Sequence, residues 1–226
     1  MTLLWPLQAL PPREILADIA PRSLAAPASV SGIQQVVAAD AGIWKIAFGG
    51  IPVVRGDSVL TWRAISTMLE GRMFPVLVPV SNWYQPEPPE AEALKLWDPV
   101  PHSDNATFSD GTMYQGRVND VTLLSAVAAR AVTATFNIVV VGASLQPGQH
   151  FSLGERLYRL RTVTRTSPTQ ATVTFRPPAR EAVAAGTRVE LDNPVSRMRL
   201  ASDNEMDLPL DYGRYSFPTV NFIEDV

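Results

Sequence analysis

A pattern of strands and turns between residues 147 and 178 constrains the fold more than any other stretch of this sequence. Apolar and polar residues alternate on both sides of a turn at Gly154 and Glu155, and a third strand-like run ends in Pro177-Pro178. Alternation with a period of two is typical of a β-strand, and two prolines end a strand because neither can donate the next hydrogen bond of the ladder. The stretch predicts part of a β-sandwich or barrel. Its expected core residues are Phe151, Leu153, Leu157, Tyr158 and Leu160.

The abundance of proline extends this prediction to the whole chain. Of the 226 residues, 20 are proline, which breaks helices and is tolerated in turns, extended segments and edge strands. We therefore predict a mainly β protein with one prominent α-helix and long proline-rich loops. The helix is expected over residues 57–70, with Asp57 or Ser58 as its N-cap and Gly71 as its stop. Its expected apolar stripe is Leu60, Trp62, Ile65, Met68 and Leu69.

Changes in composition along the chain predict three parts. Residues 1–30 are rich in proline and alanine and are expected to form an extended N-terminal arm. Residues 31–142 are expected to form a β-rich domain with the helix and a long loop at residues 81–116, whose composition is typical of a loop. Residues 143–226 are expected to form a β-barrel-like C-terminal module, either separate from the preceding part or sharing one core with it. A short helix ended by Gly186 is expected in this module over residues 179–185.

Charge, cysteine content and hydropathy exclude several classes of partner. The net charge of -3 and the pI near 5.4 argue against sequence-specific nucleic acid binding, which usually needs a basic surface. There is no cysteine, so disulfides, thiolate metal sites and a cysteine nucleophile are excluded. No apolar stretch is long enough to predict a membrane span. The N-terminus lacks a basic segment before its apolar residues, so we do not expect a signal peptide.

The residues that could carry catalysis or bind metal do not form a known pattern. His102 lies near serines and aspartates, but a serine hydrolase would need a nucleophile elbow that this sequence lacks. Asp104 and its polar neighbours could supply oxygen ligands for calcium, yet Ala106 stands where an EF-hand needs one. Pairs of carboxylates such as Glu87 and Glu90 are common on acidic surface loops. We therefore expect no catalytic residue, no metal site, no cofactor and no enzymatic activity.

Aromatic and apolar residues in the proline-rich segments are the best candidates for binding. Tryptophan and tyrosine are enriched in the cores of protein interfaces, and an arm or loop that becomes ordered on binding must bury enough apolar surface to offset its lost entropy. The expected interaction residues are Trp5, Leu7 and Leu10 in the arm and Trp83, Tyr84, Trp97 and Phe108 in the loop.

Several linked segments resemble tail proteins of long-tailed bacteriophages and prophages. "VLTWRAISTMLEGRMFPVLVPV" is similar to a segment in which a tryptophan-bearing helix leads into a strand, and "HSDNATFSDGTMYQG" is similar to a loop of those proteins. "LQPGQHFSLGERLYRLRTV", "ATVTFRPPAREAVAAGTRVEL" and "NPVSRMRL" resemble their C-terminal half. The resemblance covers about residues 43–223 and points to distal tail proteins, which form a ring under the tail tube.

The resemblance implies a structural virion protein at the tail tip or baseplate, made in the bacterial cytoplasm. It implies a homo-oligomeric ring, expected to be a homohexamer, with the tail tube protein and the tail hub and fibre proteins as partners. The genome would pass through the ring without sequence-specific contacts. Three alternatives stay open: a tail terminator or head–tail adaptor ring, a carbohydrate-binding or hydrolytic tail-tip module, and a soluble β-domain with another role.

Overall fold

The structure is a computed structural model that describes residues 2–25, 27, 36–80, 84–86, 106, 109 and 119–226. Within these residues the protein is mainly β, with one helix, as the sequence predicts. The elements in chain order are β1 (Leu3–Leu4), β2 (Glu14–Ala25), β3 (Val36–Gly49), α1 (Gly56–Leu69), β4 (Val76–Pro79), β5 (Asp120–Leu123), β6 (Thr133–Val140), β7 (His150–Leu153), β8 (Arg156–Ser167), β9 (Gln170–Arg176), β10 (Val195–Leu200) and β11 (Val220–Glu224).

The chain forms two compact units, one inserted into the other in sequence. The terminal unit consists of Met1–Ser81 and Val195–Val226, and the inserted unit of Asn82–Pro194. This division differs from the three parts expected from composition. The last two strands belong with the N-terminal strands, because β10 pairs with β4 and β11 pairs with β3. Such long-range pairing leaves no signal in local composition.

The terminal unit is a six-stranded sheet with one helix. The strand order is β1-β4-β10-β11-β3-β2. Alternate side chains of β3 face the core, so that Trp44, Ile46 and Phe48 are buried while Lys45 between them is exposed. An aromatic cluster fills the core, in which the Trp5 ring meets Phe48, Trp62 and Phe222 edge to face at centroid distances of 5.9, 6.2 and 5.3 Å.

The N-terminal segment, expected as an extended arm, belongs to the terminal unit. Leu3 and Leu4 pair in parallel with Val76 and Leu77, and the backbone N–H of Trp5 donates to the Leu77 carbonyl at 2.9 Å. β2 then pairs with β3 along most of its length. The prolines that suggested an unpaired arm lie between β1 and β2, at a register shift inside β2 and beyond the end of β2, and none of them is among the paired residues of the ladder.

Helix α1 lies close to its predicted position, but its cap and its buried face differ from the prediction. The N-cap is Arg55, whose N–H donates to Ser58 Oγ at 3.1 Å, while Asp57 lies in the first turn. The buried apolar side chains of the helix are Trp62, Ile65 and Leu69. Leu60 and Met68, expected in the same stripe, are exposed. The helix therefore has apolar side chains on two faces, and only one of these faces is buried.

The inserted unit contains the hairpin that the sequence predicts. Its sheet has the order β5-β6-β9-β8-β7, and β7 and β8 are joined at Gly154 and Glu155. The five expected core residues of the hairpin are buried, together with Phe136 and Phe175. Phe151 packs against Phe136 and Phe175 at centroid distances of 5.4 and 5.6 Å. The prediction is confirmed here because strand alternation and turn are both local signals.

Residues 183–190 connect the two edge strands of this sheet. Val189 donates to the Val121 carbonyl of β5 at 2.8 Å, and Glu190 exchanges two hydrogen bonds of 2.9 Å with Ser152 of β7. The helix expected over residues 179–185 is not present. Val183 instead exchanges two hydrogen bonds of 2.8 Å with Val127. The alanines of this stretch favour a helix locally, but tertiary pairing overrides a preference of this size.

Candidate functional site

Two of the three interaction residues expected in the arm are part of the core. Trp5 is 1% exposed and Leu10 is fully buried, whereas Leu7 is half-buried. The indole N–H of Trp5 donates to the Leu10 carbonyl at 3.4 Å, which ties the turn after β1 to the core. These two side chains stabilise the terminal unit and present almost no surface to a partner.

Most of the expected loop residues lie outside the described residues. This applies to Trp83, Trp97 and Phe108, and to the polar cluster around His102. Tyr84 is described and is 95% exposed. Its carbonyl accepts a hydrogen bond of 3.4 Å from Gln149 Nε2, so the side chain projects while the backbone is held.

The first exposed apolar surface lies at one edge of the terminal sheet. β1 is the edge strand, and its Leu4 side chain is 54% exposed. Beside it a cavity of about 620 Å³ is lined almost entirely by apolar side chains. The lining consists of Thr2, Leu3, Leu4, Met68, Leu69, Phe74 and Pro75. We call this surface the β1 edge.

Charged side chains hold the rim of the β1 edge in place. Arg199 donates from one guanidinium nitrogen to the carbonyls of Arg72 and Met73, at 3.0 and 2.5 Å. Its Nε lies 2.5 Å from Asp225, whose other carboxylate oxygen lies 2.8 Å from Arg197 Nε. This network fixes the backbone that leads into Phe74, so the groove is formed before any partner binds.

The pKa of Asp225 reflects this network. The largest single effect is burial, which raises the pKa of the carboxyl, but the hydrogen bonds and charges of Arg199 and Arg197 together outweigh it. The pKa of Asp225 therefore lies below the ordinary aspartate value, and the group is a carboxylate at neutral pH. On the exposed surface, Arg72 also lowers the pKa of Asp203 through a hydrogen bond.

The second exposed apolar surface lies at the opposite edge of the same sheet. β2 is the edge strand and has 12 residues. Ile15 and Leu16 are exposed. Leu16 is 66% exposed and pairs with Ala47, on the face of the sheet away from the aromatic core. We call Ile15 and Leu16, together with the strand that carries them, the β2 edge.

The hairpin of β2 and β3 continues beyond the rest of the sheet. β11 pairs with β3 from Lys45 to Phe48, whereas β2 pairs with β3 as far as Val36. A register shift between Ala20 and Arg22 separates the two parts of the hairpin. Two-stranded ribbons are marginally stable by themselves in water. A projecting ribbon of this kind favours contact with a further surface.

Part of the β2 edge carries features that limit uncontrolled pairing. Asp18 Oδ1 accepts the N–H of Ile19 at 2.8 Å, which occupies one outward donor of the strand. Pro21 at the register shift has no N–H at all. Natural edge strands use charges, prolines and irregularities against aggregation. At the β2 edge they leave the apolar pair Ile15–Leu16 as the accessible part.

The sequence-based prediction missed the exposed apolar residues of both edges for one reason. Leu4, Met73 and Phe74 look like ordinary core residues in the sequence, and so does Leu16, because apolar residues in or near strands usually face the core. The one signal available is that apolar residues follow each other directly, as in "EIL" and "RMFP", so that both faces of a segment carry them.

The described residues show no arrangement typical of a metal centre or a membrane-spanning segment. No group of three or more histidine, aspartate or glutamate side chains among them could hold a metal ion. No helix in the same part of the chain has both the length and the hydropathy of a membrane span. Compared with models of known protein families and with curated proteins, the sequence matches none.

Proposed function

We propose that this chain is a structural subunit that assembles with copies of itself through the two edges of the terminal sheet. The observation that carries the proposal is that β1 and β2 lie at opposite ends of one sheet and both expose large apolar side chains. An exposed edge strand offers unpaired backbone groups to another strand, and long apolar edges are rare unless they are used.

The two edges differ from each other, and this determines the type of assembly. The β1 edge is short and lies beside an apolar groove, whereas the β2 edge belongs to a long hairpin with exposed Ile15 and Leu16. A contact between unlike surfaces is heterologous, and repetition of it gives a closed ring or an open filament. The β2 edge of one copy would pair along β1 of the next and place one of its two apolar side chains in the groove, since Ile15 and Leu16 point to opposite faces of the strand.

The resemblance to distal tail proteins supplies the biological setting of the proposal. A heterologous ring is the assembly expected for a protein that surrounds the tail axis. We therefore infer a homohexameric ring at the distal end of a bacteriophage tail tube, which links the tube to the hub and fibres. In this setting the chain is a virion component at the tail tip.

The test uses one substitution on each edge. Leu4→Lys and Leu16→Lys each place a charge at an exposed position, so the free energy of unfolding should change by less than about 0.5 kcal/mol. Each variant should lose the ring that the wild type forms, as measured by native mass spectrometry and sedimentation velocity. Val139→Lys, at an exposed position of β6 in the inserted unit, is the matched control and should assemble normally.

Mixing the two variants distinguishes unlike from like edges. Leu4→Lys keeps an intact β2 edge, and Leu16→Lys keeps an intact β1 edge. Heterologous pairing predicts that each variant alone is a monomer and that the mixture forms a dimer. A dimer of Leu4→Lys alone would show that β2 pairs with itself. A wild-type protein that stays a monomer at high concentration would contradict self-assembly.

The position in a virion needs a separate measurement. Gold-labelled antibody against the chain should mark the tail tip of particles from a bacterium that carries its gene. Labelling at the head–tail junction would instead favour an adaptor or terminator, and unlabelled particles would contradict a virion role.

A further inference from the structure

A row of three aromatic rings lies on the surface of the terminal unit, away from the cluster that fills its core. The rings belong to Tyr212, Tyr215 and Phe217, and neighbouring centroids are 6.5 and 6.4 Å apart. Tyr212 is 90% exposed, and the other two rings are partly open. The rings of Tyr212 and Tyr215 are tilted by 40° to each other, and those of Tyr215 and Phe217 meet edge to face at 62°.

Tyr212 occupies a backbone position that does not suit it. Tyr212 and Gly213 have φ values of 50° and 69°, and the Arg214 N–H donates to the Asp211 carbonyl at 3.0 Å. Positive φ at both central residues is the signature of a type I′ turn, where asparagine, aspartate or glycine is usual. A bulky side chain in this region is strained, and such strain is concentrated at functional positions.

The backbone around the row is held in place by hydrogen bonds. Asp211 donates to the Tyr215 carbonyl at 2.8 Å, and Ser216 exchanges two hydrogen bonds of 3.0 Å with Val53. Ile51 donates to the Pro218 carbonyl at 3.0 Å. The rings therefore project from a fixed support, and a ligand would not have to order the segment on binding.

One charged group lies against the row, and two more belong to the turn that carries Tyr212. The Arg13 guanidinium carbon is 4.6 Å from the centroid of Phe217, and the Arg13 side chain lies against Gly50. Asp211 and Arg214 belong to the turn itself and are exposed. The open ring of Tyr212, the partly open ring of Tyr215 and charged groups with several hydrogen-bonding atoms thus occur on one supported surface.

We propose that this row binds a neutral oligosaccharide. A pyranose ring presents an apolar face of C–H groups, which stacks on an aromatic ring, and hydroxyl groups at its edge, which hydrogen-bond to carboxylate and guanidinium groups. Successive sugar units of a chain can engage successive rings of a row. Tyr212, in the turn, has the most exposed ring and would stack on the first sugar unit. The neighbouring ring of Tyr215 would contact the next unit.

A protein partner fits this surface less well than a sugar does. Protein interfaces bury roughly 800 Å² on each side, and their cores are depleted in charged residues. A fully covered aromatic side chain buries about 150–250 Å², and two of these three rings are already partly covered. Because charged groups also belong to this surface, it suits a small ligand with an apolar face and a polar edge better than it suits a protein.

The test measures binding of cellotetraose, chitotetraose and maltotetraose to the full chain by titration calorimetry, with saturation-transfer NMR to detect contact between rings and sugar. At least one tetrasaccharide should bind. Tyr212→Ala should weaken it roughly tenfold, since the loss of a well-placed aromatic costs more than about 1 kcal/mol. Tyr212→Phe keeps the ring and should retain most of the affinity.

Tyr84→Ala is the matched control. Tyr84 is also a nearly fully exposed tyrosine with positive φ, but it belongs to the inserted unit. This variant should bind the sugar like the wild type. The proposal is overturned if none of the three tetrasaccharides binds, or if Tyr84→Ala weakens binding as much as Tyr212→Ala. It is also overturned if Tyr212→Ala changes the oligomeric mass and leaves sugar binding intact, because the row would then be a protein interface.

Discussion

The two units differ in whether the edge strands of their sheets are bridged by another segment. In the inserted unit, residues 183–190 bridge both edge strands, β5 and β7, so the sheet returns on itself. In the terminal unit, β1 and β2 stay at the two ends of the sheet, and each carries exposed apolar side chains. The edge strands of one sheet are thus bridged within the unit, whereas those of the other sheet have no such bridge among the described residues.

Under the proposed self-assembly, this difference separates the residues that matter for stability from those that matter for assembly. A sheet whose edges are bridged satisfies its backbone groups internally, whereas an open sheet leaves part of that task to another molecule. The inserted unit should therefore tolerate surface changes without any change in assembly. The terminal unit should respond at its edges through assembly and in its core through stability.

The largest expected effects come from the two aromatic cores. Trp5→Ala and Phe151→Ala each remove a buried aromatic side chain and should lower the free energy of unfolding by about 3–5 kcal/mol. Hydrogen exchange should show lost protection in β3 and β11 for Trp5→Ala, and in β8 and β9 for Phe151→Ala. Leu7→Ala, at a half-buried position next to Trp5, is the control and should cost less.

The outcome for Trp5→Ala also decides the role of the N-terminus. If this variant kept its stability and lost only self-association, the N-terminal segment would act as an arm for a partner. The burial of Trp5 in the core would then contribute nothing to the free energy of unfolding.

The next effect tests how the inserted sheet is closed. Val189→Pro removes the N–H that donates to the Val121 carbonyl, together with the valine side chain. Val189→Ala removes only side-chain atoms. The proline variant should be less stable than the alanine variant by roughly 3 kcal/mol, as measured by urea unfolding, because proline removes a donor and restricts the backbone. Equal stability of the two variants would mean that this bridge does not close the sheet.

The smallest effect concerns the charges behind the β1 edge. Asp225→Asn weakens the bonds to Arg197 and Arg199 and should cost about 1–3 kcal/mol at pH 7. Since the folded-state pKa of Asp225 is lowered, its contribution is present above the unfolded-state value of about 3.9 and is lost as the pH falls below it. The difference in stability between the two proteins should therefore shrink as the pH falls from about 3.9 through the lower folded-state pKa. A difference that does not change with pH would rule out the ion pairs as its source.

Local patterns in the sequence predicted the parts of the fold that depend on neighbours along the chain. The hairpin at residues 148–164, its five core residues, the position of α1 and the mainly β class are all confirmed. In these cases strand alternation, a glycine turn or the helical period acts over a few residues, and tertiary contacts agree with it. The expected interaction residues outside the described part of the chain stay predictions.

Tertiary structure alone decided the remaining features. The N-terminal segment joins a sheet because β4 lies beside it, and β10 and β11 complete that sheet from the far end of the chain. Residues 179–185 form no helix because Val127 and Ala131 supply their backbone partners. Leu16, Leu60 and Met68 are exposed because, among the described residues, no segment covers their side chains. Sequence determines which side chains are apolar, but burial depends on which distant segment arrives to cover them, and local propensities are too small to decide that.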